Sequence, residues 1–258
     1  MKYTTLPGTD IKVSKICLGT MTFGNQNTEP EGFDQMDLAL EKGVNFFDTA
    51  ELYPVPANAK TQGEKERIMG NWFHKTGNSS KIILATKAAG PGAYTAHIRD
   101  NISFNKKNIT EALDNSLKRL QTDYVDLYQL HWPERMTNFF GQRGYFHNPK
   151  DPWVENFEEA LETLDELIKA GKIRQIGISN EAPWGLMRYL ELSKKGLPKT
   201  ITIQNPYSLL TRVFEIGNSE ICLRENVGLL AYSPLGFGRL TGKYLSLIHI
   251  SEPTRRTP

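Results

Sequence analysis

Short apolar, β-branched runs alternate along the chain with longer stretches whose apolar residues recur at helical spacing. This is the pattern of strands joined by crossover helices, and it predicts a parallel α/β architecture. Seven runs read as strands, at residues 15–19, 45–49, 81–87, 124–131, 173–179, 200–205 and 227–233. The stretches between them, 32–42, 63–75, 108–120, 156–170, 182–195 and 211–225, read as helices. Gly43, Gly77, Gly171 and Gly196 fall where helix C-caps belong, and Asn156 stands as an N-cap ahead of Glu158 and Glu159 in a first turn that favours acids. Ahead of the first strand, residues 4–13 read as a hairpin turning at Pro7-Gly8, placed to plug the floor of a barrel. Two loops, 88–107 and 132–153, are longer than usual connections and rich in aromatic, Gly and Pro residues. After a barrel strand, such loops are where substrate sites are kept.

Composition narrows this picture. A chain of 258 residues that is 39% hydrophobic can bury one sizeable core, and its length is that of a single (β/α)8 barrel. A net charge of +2 without a long Lys/Arg run points to small, weakly charged ligands rather than nucleic acid or a membrane surface. Cys17 and Cys222 are too few for a disulfide framework or a cysteine metal cage, suit a reducing compartment, and are expected to be buried packing residues. The opening residues lack the apolar core of a signal peptide, and no stretch of about 18 apolar residues could span a bilayer, so a soluble, cytoplasmic protein is expected. No heptad pattern or self-complementary surface specifies an oligomeric state.

If the strands form a barrel, chemistry gathers at their C-terminal ends. The residues there are Asp48 with Tyr53 just beyond it, Lys87, His131, Ser179-Asn180, Gln204 and Tyr232-Ser233. Singly, each has an ordinary structural explanation: Asp48 as a turn cap, Lys87 as a solvated cation, His131 as a packing residue. Lys87 is the hardest to dismiss, because it ends the apolar run Ile82-Ile-Leu-Ala, and an ammonium pointing into a barrel mouth needs an anion, which Asp48 can supply. Together the four make a mechanism. A tyrosine hydroxyl is a poor acid, with a free pKa of about 10, and a nearby cation that lowers it by about 2 to 3 units makes it a usable proton donor. Lys87, balanced by Asp48, is that cation for Tyr53, and neutral His131 can donate to a substrate oxygen. Other chemistries fit less well. No His-x3-His, Cys-x2-Cys, Gly-x-Ser-x-Gly or Walker motif occurs, so no metal is expected, and the segment from Gly236 to Gly242 has the wrong spacing for a Rossmann turn.

Seven phrases then carry a family resemblance. Leu18-Gly-Thr-Met-Thr-Phe-Gly24, Phe47-Asp-Thr-Ala-Glu-Leu-Tyr53, Ala85-Thr-Lys87, Asp126-Leu-Tyr-Gln-Leu-His131, Gly177-Ile-Ser-Asn180, Ile203-Gln-Asn-Pro-Tyr207 and Ala231-Tyr-Ser-Pro-Leu-Gly236 resemble the aldo-keto reductases, in family order. Tyr53-Pro-Val-Pro and Gln204-Asn-Pro-Tyr-Ser-Leu-Leu are most similar to the bacterial Tas protein subgroup. The resemblance implies a (β/α)8 TIM barrel and an NADP-dependent oxidoreductase acting on a small carbonyl substrate, with the catalytic tetrad Asp48, Tyr53, Lys87 and His131. It further implies that Ser179, Asn180 and Gln204 hold the nicotinamide carboxamide of NADPH/NADP+, that Tyr232 stacks on its ring, and that Ser233, Leu235, Gly236 and Gly238 line the pyrophosphate path. Gly19, Thr20 and Met21 would lie beneath the cofactor. Pro54 stands where many relatives place Gly after the tyrosine, a subgroup trait of little chemical consequence.

The resemblance runs from about residue 2 to 244 and then ends. The cofactor-covering loop, the eighth strand and the 2′-phosphate-binding residues are missing, and Leu245-Ser-Leu-Ile-His-Ile-Ser-Glu-Pro-Thr-Arg255 reads like a translated sequencing-library adapter. The expectation is an incomplete barrel over 1–244 with about seven of eight strands, followed by a non-family tail at 245–258. An unclosed sheet exposes strand edges and apolar faces, so the intact gene product is expected to be the reductase, whereas this 258-residue chain is expected to dissolve poorly and bind NADPH weakly or not at all. Two other roles compete with catalysis. One is a cofactor-sensing subunit, since potassium-channel β subunits resemble this family too, and the other is an inactive remnant.

Overall fold

The computed structural model describes residues 1–243; Tyr244 and the expected tail at 245–258 lie outside them. Strands β1 (Tyr3–Thr5) and β2 (Lys12–Ser14) pair antiparallel as the expected hairpin. Seven parallel strands follow in sequential order: β3 (Cys17–Gly19), β4 (Phe46–Asp48), β5 (Ile83–Ala88), β6 (Val125–Leu130), β7 (Ile173–Ser179), β8 (Thr200–Pro206) and β9 (Gly228–Tyr232). Helices α1 (Glu29–Glu41), α2 (Glu64–Thr76), α3 (Lys106–Leu120), α4 (Phe157–Lys169), α5 (Pro183–Ser193) and α6 (Asn218–Arg224) supply the crossovers. This is an incomplete (β/α)8 barrel, and among the described residues β3 and β9 do not pair with each other.

Side-chain alternation along the strands separates two cores. Phe47, Leu84, Tyr128, Ile178 and Ile203 pack outward with the helices, against Met69, Trp72, Leu113, Leu164 and Leu190. Phe46, Ala85 and Leu127 pack inward, where Leu6, Ile11 and Val13 of the hairpin meet them. The hairpin is therefore the floor plug that its turn signals suggested. No described helix is long and apolar enough to cross a membrane.

Local chemistry sets most boundaries. Thr28 and Glu31 form a reciprocal capping box that starts α1 earlier than apolar periodicity does, and Asn105 caps α3 by accepting from Asn108 N at 2.9 Å. Gly43, Gly77, Gly171 and Gly196 all take positive φ just beyond helix ends, as expected of C-caps. Three expectations fail. Asn156 precedes α4, but its side chain does not cap; it donates to Glu134 Oε2 at 2.6 Å instead. The helix expected at 211–225 is only Asn218–Arg224, because Thr211 bridges back to Ser208, Val213–Glu215 is a single tight turn, and Gly217 at φ 96 breaks the run. Cys222 is buried as expected, whereas Cys17 is exposed because β3, among the described residues, has a strand neighbour on one side only.

Helices α2 and α3 pack closely at Gly70, where an added Cβ would lie 2.2 Å from Arg119 O and 2.9 Å from Leu120 C. Alanine normally favours a helix over glycine by about 1 kcal/mol. Here the clash reverses the sign, and Gly70→Ala is expected to lower stability by about 1–3 kcal/mol, read from the denaturant midpoint. A midpoint at or above that of the parent would show that the two helices can part without cost.

Candidate active site

The parallel register brings the polar strand ends to one mouth. Gly19 lies level with Asp48, Lys87 with Gln129, Ser179 with Gln204, and Pro206 with Tyr232. Asp48, at the end of β4, is the hub. Its Oδ2 accepts from Lys87 Nζ at 2.5 Å, and its Oδ1 accepts from Gln204 Nε2 at 3.0 Å and Gln129 Nε2 at 3.1 Å. Lys87 is 0% exposed and also donates to Thr49 O at 2.7 Å. The anion that sequence reasoning required for this ammonium is thus in place. Burial pulls the Lys87 pKa down, but the Asp48 carboxylate more than offsets that and leaves it above the usual lysine range.

Tyr53 reaches the same spot from the loop after β4. That loop is pinned by Glu51, which is buried, accepts from Ala89 N at 2.6 Å and is paired with Arg99. The Tyr53 ring centroid lies 5.1 Å from Lys87 Nζ and 5.4 Å from the His131 ring, edge-on to it at 82°. The expected lowering of the tyrosine pKa is not what the surroundings give. Burial raises it first and most, Lys87 opposes the rise, and the net result lies above the usual tyrosine value. His131 is buried, and burial followed by the nearby Lys87 charge drives its pKa well below the ordinary value, so the imidazole is neutral. Its Nδ1 has no hydrogen-bond partner among the described residues.

The residues expected around a cofactor lie beside this group. Asn180, held at φ 55, donates its amide to His131 O at 2.9 Å and Ser179 Oγ at 3.0 Å, and accepts from Tyr232 OH at 2.8 Å. Ser179 Oγ donates to Gln204 O at 2.8 Å. Amide and hydroxyl groups of this kind, beside a partly exposed Tyr232 ring, are the chemistry that holds a planar carboxamide. On the opposite side of the mouth, buried Thr20 donates to Asp48 O at 3.1 Å, Met21 is exposed, and nothing stands within 4 Å of the position a Cβ on Gly19 would take. Ser233, Leu235, Gly236 and Gly238 form the turn after β9; there Gly236 N bonds Ser233 O at 2.9 Å and Gly238 N bonds Leu235 O at 3.1 Å.

Two kinds of site residue escaped sequence reasoning. Gln129 lies two residues before His131 on β6, so strand alternation turns it to the same inward face. Gly177 makes room there, since a Cβ at that position would meet Thr202 Oγ1 at 2.3 Å and Gln129 Cγ at 3.3 Å. The second kind is aromatic. Trp132 packs on His131 with centroids 4.9 Å apart and carries Tyr94 at 5.5 Å and Phe140 at 5.6 Å, so the two long loops bring an apolar wall to the mouth.

The aldo/keto reductase family profile matches residues 15–257. The chain is 52% identical over 248 residues to Protein tas of Escherichia coli (strain K12), a match covering 95% of this chain and 71% of that protein. It is 37% identical over 248 residues to an uncharacterized oxidoreductase, YrpG, of Bacillus subtilis (strain 168), covering 95% of this chain and 70% of the relative. Aldo-keto reductase YhdN of Bacillus subtilis (strain 168) is 34% identical over 247 residues, covering 94% of this chain and 65% of that protein. The chain belongs to the aldo/keto reductase family.

Proposed function

We propose that the intact protein, with its barrel complete, is an NADPH-dependent oxidoreductase that reduces an aldehyde or ketone to the alcohol, with Tyr53 as proton donor. The observation that carries the reading is the fully buried Lys87, neutralised by Asp48 and aimed at the Tyr53 ring beside a neutral His131. Reduced nicotinamide, when bound, supplies the hydride. The chain's own residues manage the substrate oxygen. His131, kept uncharged, can donate a ring N–H to the carbonyl and stabilise the charge that develops on it. Tyr53, its pKa raised by burial, holds its proton at neutral pH and is ready to give it. Lys87 then stabilises the phenolate left behind, and Asp48 keeps the cluster electrically balanced. Ser179, Asn180 and Gln204 would hold the carboxamide, Tyr232 would stack on the ring, and Trp132 with Tyr94 would favour an apolar or aromatic carbonyl compound.

On this reading residues 1–244 form the incomplete barrel and 245–258 a non-family tail, against a family profile that runs on to residue 257. Reading the native coding sequence past Tyr244 tests that point. The activity is tested by following NADPH consumption with a reactive aromatic aldehyde. Many turnovers per protein, faster with NADPH than with NADH, are expected of a cytoplasmic reductase. A single turnover with tightly retained cofactor would instead point to a sensing role.

A further inference from the structure

Lys65, the second residue of α2, is a buried charge that this chemistry leaves unused. It is 0% exposed, yet its Nζ has no hydrogen-bond partner among the described residues. An unpaired ammonium is among the most costly groups to bury, and in the first turn of a helix it also faces the positive end of the dipole. A lysine kept against both costs calls for a reason.

What the ammonium does meet is Tyr53, with Nζ 5.5 Å from the ring centroid. The backbone delivers it there. Gly63 N donates to Tyr53 O at 3.0 Å, and Gly63, in the left-handed region at φ 75, turns the chain into α2 two residues before Lys65. Its flanking carboxylates are turned elsewhere, Glu64 to Arg67, and Glu66 to Thr86 Oγ1 and to Arg119 Nε at 2.8 Å.

We infer that Lys65 is a second cation acting on the Tyr53 phenol from the helix side, a positioning residue that strengthens the proton donor while it is charged and relaxes it when it is not. The inference rests on the reductase reading of Tyr53. Five ionisable groups surround that phenol: Asp48 from β4, Lys87 from β5, His131 just after β6, Tyr232 from β9 and Lys65 from α2. Lys87 keeps its charge across the neutral range and His131 stays neutral. Lys65 is the cation that changes, because burial lowers its pKa to about 7. Below that point its charge stabilises the phenolate forming as the proton leaves; above it the help is gone.

The test is kcat for carbonyl reduction between about pH 6 and about pH 8.5, the interval that brackets such a group. In the parent protein kcat is expected to fall about five- to tenfold across it, with KM little changed, as befits a cation–π contact made to the reacting group. Lys65→Met should give a flat profile at the lower level. Lys65→Arg, which cannot lose its charge, should give a flat profile at the upper level. A Lys65→Met profile that keeps the step overturns the inference alone, whereas a parent protein without Tyr53-dependent turnover overturns the reductase reading and the inference with it. Isotope-labelled lysine NMR reads the amine directly in the full chain, with Lys65 assigned by its absence in Lys65→Arg. A midpoint near 7 supports the inference, and one near the ordinary value of about 10.4 overturns it.

Discussion

Tyr53→Phe is expected to lower kcat by about a hundredfold to ten-thousandfold, the range that a positioned proton donor contributes. Cofactor affinity and the melting temperature should hardly move. Phenylalanine keeps the ring, and so keeps the packing against His131 at 5.4 Å and the cationic neighbours at 5.1 and 5.5 Å; only the hydroxyl is lost. The loss should fall on kcat and kcat/KM alike, because the proton is given in the transition state rather than in the ground-state complex. Residual turnover would come from His131 and from the geometry of the site. A kcat within about threefold of the parent would remove Tyr53 from the chemistry, since that is less than a single well-placed donor supplies.

The sequence shows Lys87 most clearly, because an ammonium closing the apolar strand Ile83–Ala88 is the hardest of the candidates to explain as a solvated cation. It shows His131 and Gln204 through their places at strand ends, and Tyr53 through the spacing from Asp48 and the family phrase around it. Burial itself could not be read, which is why the sign of the Tyr53 shift came out reversed: the effect of Lys87 is local and visible, but desolvation depends on everything packed around the ring. Lys65 was hidden for a related reason. Between Glu64 and Glu66 it reads as part of a solvated helix face, and only the loop closed by Gly63 and Tyr53 turns it inward. The misread boundaries share a cause as well. Asn156 is drawn from capping by Glu134, and residues 211–217 are shaped by the bridge to Ser208, contacts that no local pattern encodes.

Asp48→Asn is expected to destabilise the fold by about 3–5 kcal/mol, the usual cost of leaving one partner of a buried ion pair without its countercharge. The change is nearly isosteric, and the amide oxygen can still accept from Gln129 and Gln204, so packing is not what is lost. What is lost is the charge opposite Lys87, which is fully buried and donates to no other carboxylate among its described contacts. Two further results separate this cause from a general loosening of the mouth. First, Lys87→Met in the Asp48→Asn background should recover part of the loss, because methionine fills the lysine stem and removes the stranded charge; a double variant as unstable as the sum of the single variants would show that the pair is not coupled. Second, the pH dependence should reverse. In the parent the folded Lys87 pKa is raised, so its contribution is fully present below the unfolded value of about 10.4 and fades as pH rises through the folded one. In Asp48→Asn the contributions of the carboxylate are gone and the lowering by burial, the largest influence, dominates, so the unfolded chain binds the extra proton and stability should rise with pH until the unfolded amine itself titrates. Denaturant midpoints measured at neutral and at alkaline pH distinguish the two slopes, and a deficit independent of pH would place the damage in packing rather than in the Lys87 charge.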